Sequence, residues 1–138
     1  MRSIIICGSI SAADHILQIQ ETLEAKGFDV EIPWGVKKYR DNNFVHVPET
    51  ERAQDKADND LITRYYELIK KYDSVLVVNV EKNGIPGYIG GNTFLEIGFA
   101  HVLGKTIYVL NDLPEVGYLD ELRAMKPIIL HGNLNAIH

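Results

Sequence analysis

The sequence predicts an α/β fold: one doubly wound, mostly parallel five-stranded sheet in the order 2-1-3-4-5. Three observations carry this. Short β-branched runs, Ile4-Ile5-Ile6 and Val75-Leu76-Val77-Val78 foremost, alternate with segments of helical periodicity, the pattern of a parallel sheet covered by helices. Glycines punctuate the helix ends at Gly27 and Gly104, as C-terminal stops do. Right-handed crossovers between parallel strands then leave few strand orders, and 2-1-3-4-5 is the common one.

The elements follow in order. Residues 3–7 form a buried first strand ending at Gly8-Ser9, and residues 12–26 a helix with apolar positions Ile16, Leu17, Ile19 and Leu23. Residues 28–33 give a second strand. The stretch 34–56 is polar and weakly periodic, with Asn42, Asn43 and Pro48, and reads as a long connection of the kind usually kept for function. Leu61, Ile62, Tyr65, Leu68, Ile69 and Tyr72 repeat at helical spacing, so residues 58–71 form an amphipathic helix capped by Asp58 or Asn59. Residues 75–80 form the third strand, and a loop over 81–91 with four glycines leads to a helix over 92–103. A strand at 106–110, a short helix at 117–125 and a last strand at 127–130 complete one flavodoxin-like, or Rossmann-like, domain over 1–138, with no repeat or linker.

Composition narrows the function. The chain has 138 residues, 46% hydrophobic and 24% charged, a globular balance. A formal charge of −5 speaks against nucleic-acid polymers, which need a basic face, yet leaves room for a small anion held locally. No run approaches the length of a membrane span, and Gly8 interrupts the first apolar run too early for a signal peptide. No membrane partner is expected, and the cytoplasm is the expected location. Cys7 is the single cysteine and the five histidines lack zinc spacing, so neither a disulfide nor a metal is expected.

The informative stretch is Gly90-Gly91-Asn92-Thr93-Phe94-Leu95-Glu96-Ile97-Gly98-Phe99-Ala100. It sets a carboxylate in an otherwise apolar helix, and such an acid needs a reason. One reading is a narrow solvated strip. The other is a site, because a Gly-rich turn opening a helix presents free N–H groups to anions. Glu96 is expected within about the first turn, where the helix dipole favours its ionised form. In the predicted strand order, this turn and Gly8-Ser9-Ile10 meet at the carboxyl ends of strands one and three, where open α/β sheets bind ligands. Neither a P-loop nor a G-x-G-x-x-G is present, so ATP or NAD binding through those motifs is not supported, and no cofactor is expected.

These residues resemble the nucleoside 2-deoxyribosyltransferase-like family, which includes 2′-deoxynucleoside 5′-monophosphate N-hydrolases. The resemblance spans roughly residues 3–130 and rests on Cys7-Gly8-Ser9-Ile10, Asp73-Ser74-Val75-Leu76-Val77-Val78, Glu96-Ile97-Gly98-Phe99-Ala100 and Gly104-Lys105. It implies that Glu96 is a nucleophile toward C1′ of a nucleoside or its 5′-monophosphate, chemistry that suits an ionised carboxylate beside an anomeric carbon. It also implies a phosphate held by Gly8, Ser9, Gly90, Gly91 and Asn92, with Ile10 alongside, and a homodimer or larger assembly completing the site.

The chain departs from the family at two positions. Where relatives carry an aspartate, eight residues before Asp73, this chain has Tyr65. Tyr65 is then either a sugar or carboxylate partner or a core aromatic, and Asp60 either a displaced acid or a residue complementing the helix dipole. Where the monophosphate hydrolases have a serine that reaches a neighbouring subunit's phosphate, this chain has Arg123; a bidentate phosphate ligand and a solvated helix residue are equal readings. Tyr88 is expected to line the sugar pocket, and Trp34, Tyr39, Phe44 and His46 are candidates to stack on a base. His101, on another helix face, is not expected to be catalytic. The turn also resembles that of the cytokinin-activating phosphoribohydrolases without its middle glycine. A catalytically silent nucleotide-binding module is the reading from outside the enzymes.

Overall fold

The structure is a computed structural model that describes residues 2–46 and 60–138. One sheet of five parallel strands runs through it in the order β2-β1-β3-β4-β5. The strands are β1 (Ser3–Cys7), β2 (Asp29–Glu31), β3 (Ser74–Val77), β4 (Thr106–Val109) and β5 (Ile128–Ile129). The helices are α1 (Ala13–Ala25), α2 (Trp34–Asp41), α3 (Leu61–Lys71), α4 (Gly91–Val102) and α5 (Leu119–Ala124). The expected strand order and parallel pairing are both present, with Ile4 opposite Ser74 and Ser74 opposite Thr106.

Strand alternation sorts the core into two layers. Ile4, Ile6, Leu76 and Val78 face α1 and α2, where Ile16, Leu23, Val36 and Tyr39 cover them. Ile5, Cys7, Val75 and Val77 face the other way, onto Tyr65 and Ile69 of α3, Ile97 and Ala100 of α4, and Leu122 of α5. Buried on both faces, β1 and β3 are apolar after their leading serines, as central parallel strands are. Each fully buried isoleucine contributes about 1.5–3 kcal/mol, so this triple-isoleucine strand anchors both layers at once.

The polar connection expected from Trp34 onward instead begins with a helix. Pro33, in extended backbone, precedes α2, and its fixed φ suits a helix start. Only Val36 and Tyr39 of α2 are buried, one turn apart, so its apolar stripe is too short to register as periodicity. Pro48 lies outside the described residues. The cap of α3 is also corrected: Asp60 accepts from the backbone N–H of Thr63 at 3.3 Å, while Asp58 and Asn59 lie outside the described residues. No helix among the described residues is long and apolar enough to cross a membrane.

Behind the carboxyl end of β3 sits a polar hub. Asn79, buried at 1% exposure, donates from Nδ2 toward the carbonyls of Gly87 (3.2 Å), Asn111 (3.0 Å) and Asp112 (3.1 Å). Its Oδ1 accepts from the Asn111 N–H at 2.9 Å, and Asn111 Nδ2 donates to the Asn79 carbonyl at 2.9 Å. The hub ties the glycine loop before α4 to the turn after β4. Gly87 is the residue that permits this approach: its φ is +65°, and a Cβ there would stand 2.3 Å from the Asp112 carbonyl oxygen.

Candidate functional site

Where β1 and β3 end, the chain diverges to opposite faces, and a cavity of about 700 Å³ opens. Its floor is Gly8-Ser9-Ile10, one wall is the N-terminal half of α4, another is α3, and β2 with the start of α2 closes the third side. Gly8 is closely approached: a Cβ would stand 3.1 Å from the Ile16 side chain and 3.2 Å from the Val78 carbonyl, so a larger residue would push on both. Ser9 caps the short 3₁₀ turn that follows, accepting from the Ser11 N–H at 3.2 Å.

Helix α4 divides its faces by period. Thr93, Ile97 and Ala100 are buried against the sheet, while Asn92, Leu95, Glu96 and Phe99 line the cavity, the i, i+3, i+4, i+7 pattern of one stripe. Glu96 is therefore half-buried on the cavity side. It is the sixth residue of α4, past the first turn where the sequence places it, so the dipole acts weakly on its carboxylate. The dipole serves the turn above instead. Gly90 lacks a side-chain cap and the first backbone bond of the helix runs from Phe94 to Gly90, so the N–H groups of Gly91, Asn92 and Thr93 have no intrahelical acceptor.

Two buried donors from neighbouring elements surround Glu96. The Cys7 thiol, fully buried at the end of β1, hydrogen-bonds the Glu96 carboxylate; burial first, then that carboxylate's charge and hydrogen bond, hold the thiol well above its ordinary pKa. The Tyr65 hydroxyl donates to the Ile6 carbonyl. Burial, with the nearby Cys7 and Glu96 and then Glu31, holds that phenol well above its usual range. Both groups stay protonated at neutral pH, so neither is available there as a base, and the Tyr65 hydroxyl hydrogen is already given to the Ile6 carbonyl.

The structure gathers most of the expected site residues. Gly8, Ser9, Ile10, Tyr65, Tyr88, Gly90, Gly91, Asn92 and Glu96 all line the one cavity. Asp60 does not; its side chain is committed to capping α3. Arg123 is exposed on α5 and is not among the lining residues either. Of the four candidate base-stacking residues only Trp34 reaches the cavity, with the Arg64 guanidinium 5.2 Å from its ring. Tyr39, Phe44 and His46 pack on one another, with ring centroids 5.8 and 4.5 Å apart, and the Tyr39 hydroxyl donates to Asp14 at 2.8 Å. His101 is exposed on α4, outside the cavity lining.

Sequence reading missed three participants. Lys82 places Nζ 3.4 Å from Ser9 Oγ and 5.7 Å from the Tyr88 ring, in the same cavity lining as Gly90, Gly91 and Asn92. Glu31 lines the opposite side, paired with Lys37 at 2.6 Å. Cys7, read only for its lack of a disulfide partner, supports the Glu96 carboxylate. Among the described lining residues, Lys37, Lys38, Arg64 and Lys82 accompany the carboxylates of Glu31 and Glu96. Among the described residues no group of His, Cys, Asp and Glu is arranged to hold a metal ion.

Comparison of the chain with protein-family models and with curated proteins gives no match.

Proposed function

We propose that the chain cleaves the N-glycosidic bond of a nucleoside 5′-monophosphate, with Glu96 as the covalent nucleophile and hydrolysis favoured over base exchange. One observation carries the reading: a half-buried carboxylate faces a cavity whose described lining includes Lys82 and Arg64, one helical turn below backbone N–H groups with no intrahelical acceptor. The phosphate would lie among Ser9, Lys82 and the Gly90-Gly91-Asn92 turn. That position directs the sugar toward Glu96 and leaves the base toward Trp34 and Arg64. Glu96 would attack C1′, the C1′–N bond would break with its electron pair passing to the base, and water would then resolve the glycosyl ester. Cys7 and Tyr65 fix the geometry of that end of the cavity without surrendering protons.

The resemblance to the 2-deoxyribosyltransferase-like proteins supports this reading from the sequence side, and with it a homodimer in which Arg123 reaches a neighbour's phosphate. A second reading has its own observation. The family aspartate is replaced by Tyr65, whose hydroxyl is engaged by the Ile6 carbonyl, which favours a binding module without turnover.

The two are separated by chromatographic detection of free base. The purified protein is incubated with ribo- and deoxyribonucleosides and their 5′-monophosphates, with and without an acceptor base, beside Glu96→Ala. Release from monophosphates that disappears in Glu96→Ala is the expected result. Preference for ribonucleotides would move the assignment to a phosphoribohydrolase. Tight binding with no release, unchanged by Glu96→Ala, would establish the silent module.

A further inference from the structure

We infer that Glu31 is the base that activates the water resolving the glycosyl–Glu96 ester, an assignment that rests on the glycosidase reading above. A nucleophile alone leaves that reaction unfinished: hydrolysis of the ester needs a group to accept a proton from water. Cys7 and Tyr65 are protonated and engaged, and Asp60 caps a helix. Glu31 and Glu96 are the two carboxylates among the described lining residues.

Strand register places Glu31 on the correct face. It stands opposite Ile5 in the parallel β1–β2 pair, so its side chain projects to the same side of the sheet as Ile5 and Cys7, toward α3 and α4. Its neighbours Val30 and Ile32 project to the other side, into the α1 layer. Cys7, which holds Glu96, lies one strand across and two residues along. From strand spacing and rise, the Cα atoms of Glu31 and Cys7 are roughly 8 Å apart, and Glu31 and Glu96 line the same cavity. The buried Tyr65 phenol, which lines the same cavity, feels the charge of both carboxylates.

The local contacts suit a base rather than an acid. Glu31 Oε1 takes both the Ile32 N–H at 2.9 Å and Lys37 Nζ at 2.6 Å, which fixes the carboxylate and sets a cation beside it. Oε2 lies outside those two contacts. The side chain is 19% exposed, open enough to meet a water entering where the base has left. In the first step Glu96 bonds to C1′ and the base departs with the C1′–N pair, taking its proton from solvent. In the second, Glu31 takes a proton from water as its oxygen bonds to C1′. The ester C1′–O bond breaks back onto Glu96, and Glu31 returns its proton to solvent.

The test is rapid-quench base release by Glu31→Gln from the 2′-deoxynucleoside 5′-monophosphate that the wild type cleaves, with thermal melting as the folding control. The expected result is a burst of one base per site, followed by turnover slowed about 100-fold, the usual scale for losing a general base. Added azide should restore turnover and appear in the product as glycosyl azide. Unchanged turnover would overturn the assignment, as would loss of burst and steady phase together without azide rescue. If Glu31→Gln does not fold, Glu31→Asp replaces it, and the same burst and azide dependence are required. Absence of base release by the wild type counts instead against the glycosidase reading itself.

Discussion

Replacing Asn79 by alanine should cost more stability than any surface change near the site, and the size follows from the hub. The Nδ2 group has two hydrogens for three carbonyls, so one of its contacts is shared; with the bond accepted from the Asn111 N–H, about three full hydrogen bonds are lost. Each is worth about 1 kcal/mol net, and buried groups left unpaired add to that. A loss of about 3–5 kcal/mol follows, or a fall in Tm of about 15 °C for a domain of this size. Asn79→Asp should be no milder, because it keeps the acceptor but turns an anion toward three carbonyl oxygens. Equilibrium urea unfolding followed by far-UV circular dichroism measures both. A loss below about 1 kcal/mol at unchanged m would refute the hub as the tie between the two loops.

The remaining predictions concern charge and helix packing. Lys82→Met should raise KM for nucleoside 5′-monophosphates at least tenfold while leaving that for the unphosphorylated nucleosides nearly unchanged, which steady-state base release reads directly. Asp73 accepts from the Ser3 N–H at 3.0 Å and the Ser3 hydroxyl at 3.1 Å, and these bonds hold its carboxyl below the ordinary aspartate range. Its folded pKa being depressed, the stabilisation is present above the unfolded value and lost as pH falls through the folded one. Asp73→Asn should therefore flatten the acid limb of stability against pH below about 4, measured by urea midpoints. Gly98, inside α4, has nothing within 4 Å of a built Cβ, so Gly98→Ala should stabilise by up to about 1 kcal/mol. A lowered Tm would mean that another surface packs on that face of α4.

How much of this was legible in the sequence depended on the length over which a signal repeated. The strand order was readable because Ile4-Ile5-Ile6 and Val75-Leu76-Val77 are apolar on both faces, a mark of central parallel strands. Glu96 was readable because an acid between Leu95 and Ile97 is conspicuous, though its place in the second turn, and hence the weak dipole on it, depended on where α4 begins. Helix α2 was not readable: Val36 and Tyr39 are its only buried residues, too few to show a period. Asn79 and Lys82 act through partners 8 to 73 positions away, such as Gly87 and Ser9, and Glu31 reaches the cavity through strand pairing opposite Ile5, contacts that nothing in their immediate neighbours announces. Tyr39, Phe44 and His46 lie outside the described cavity lining, with Phe44 and His46 packed around Tyr39 instead; aromatic composition cannot tell a stacking surface from a cluster that stacks on itself.

The claim on which the account turns is that the Glu96 carboxylate bonds covalently to C1′. It is tested most directly by intact-protein mass spectrometry after incubation with a 2′-fluoro-substituted deoxynucleoside 5′-monophosphate, whose electronegative substituent slows resolution of the ester, followed by peptide mapping. The account predicts one sugar-phosphate adduct per chain, located on Glu96 and absent in Glu96→Gln. Release of base without any adduct, or an adduct on another residue, would contradict it.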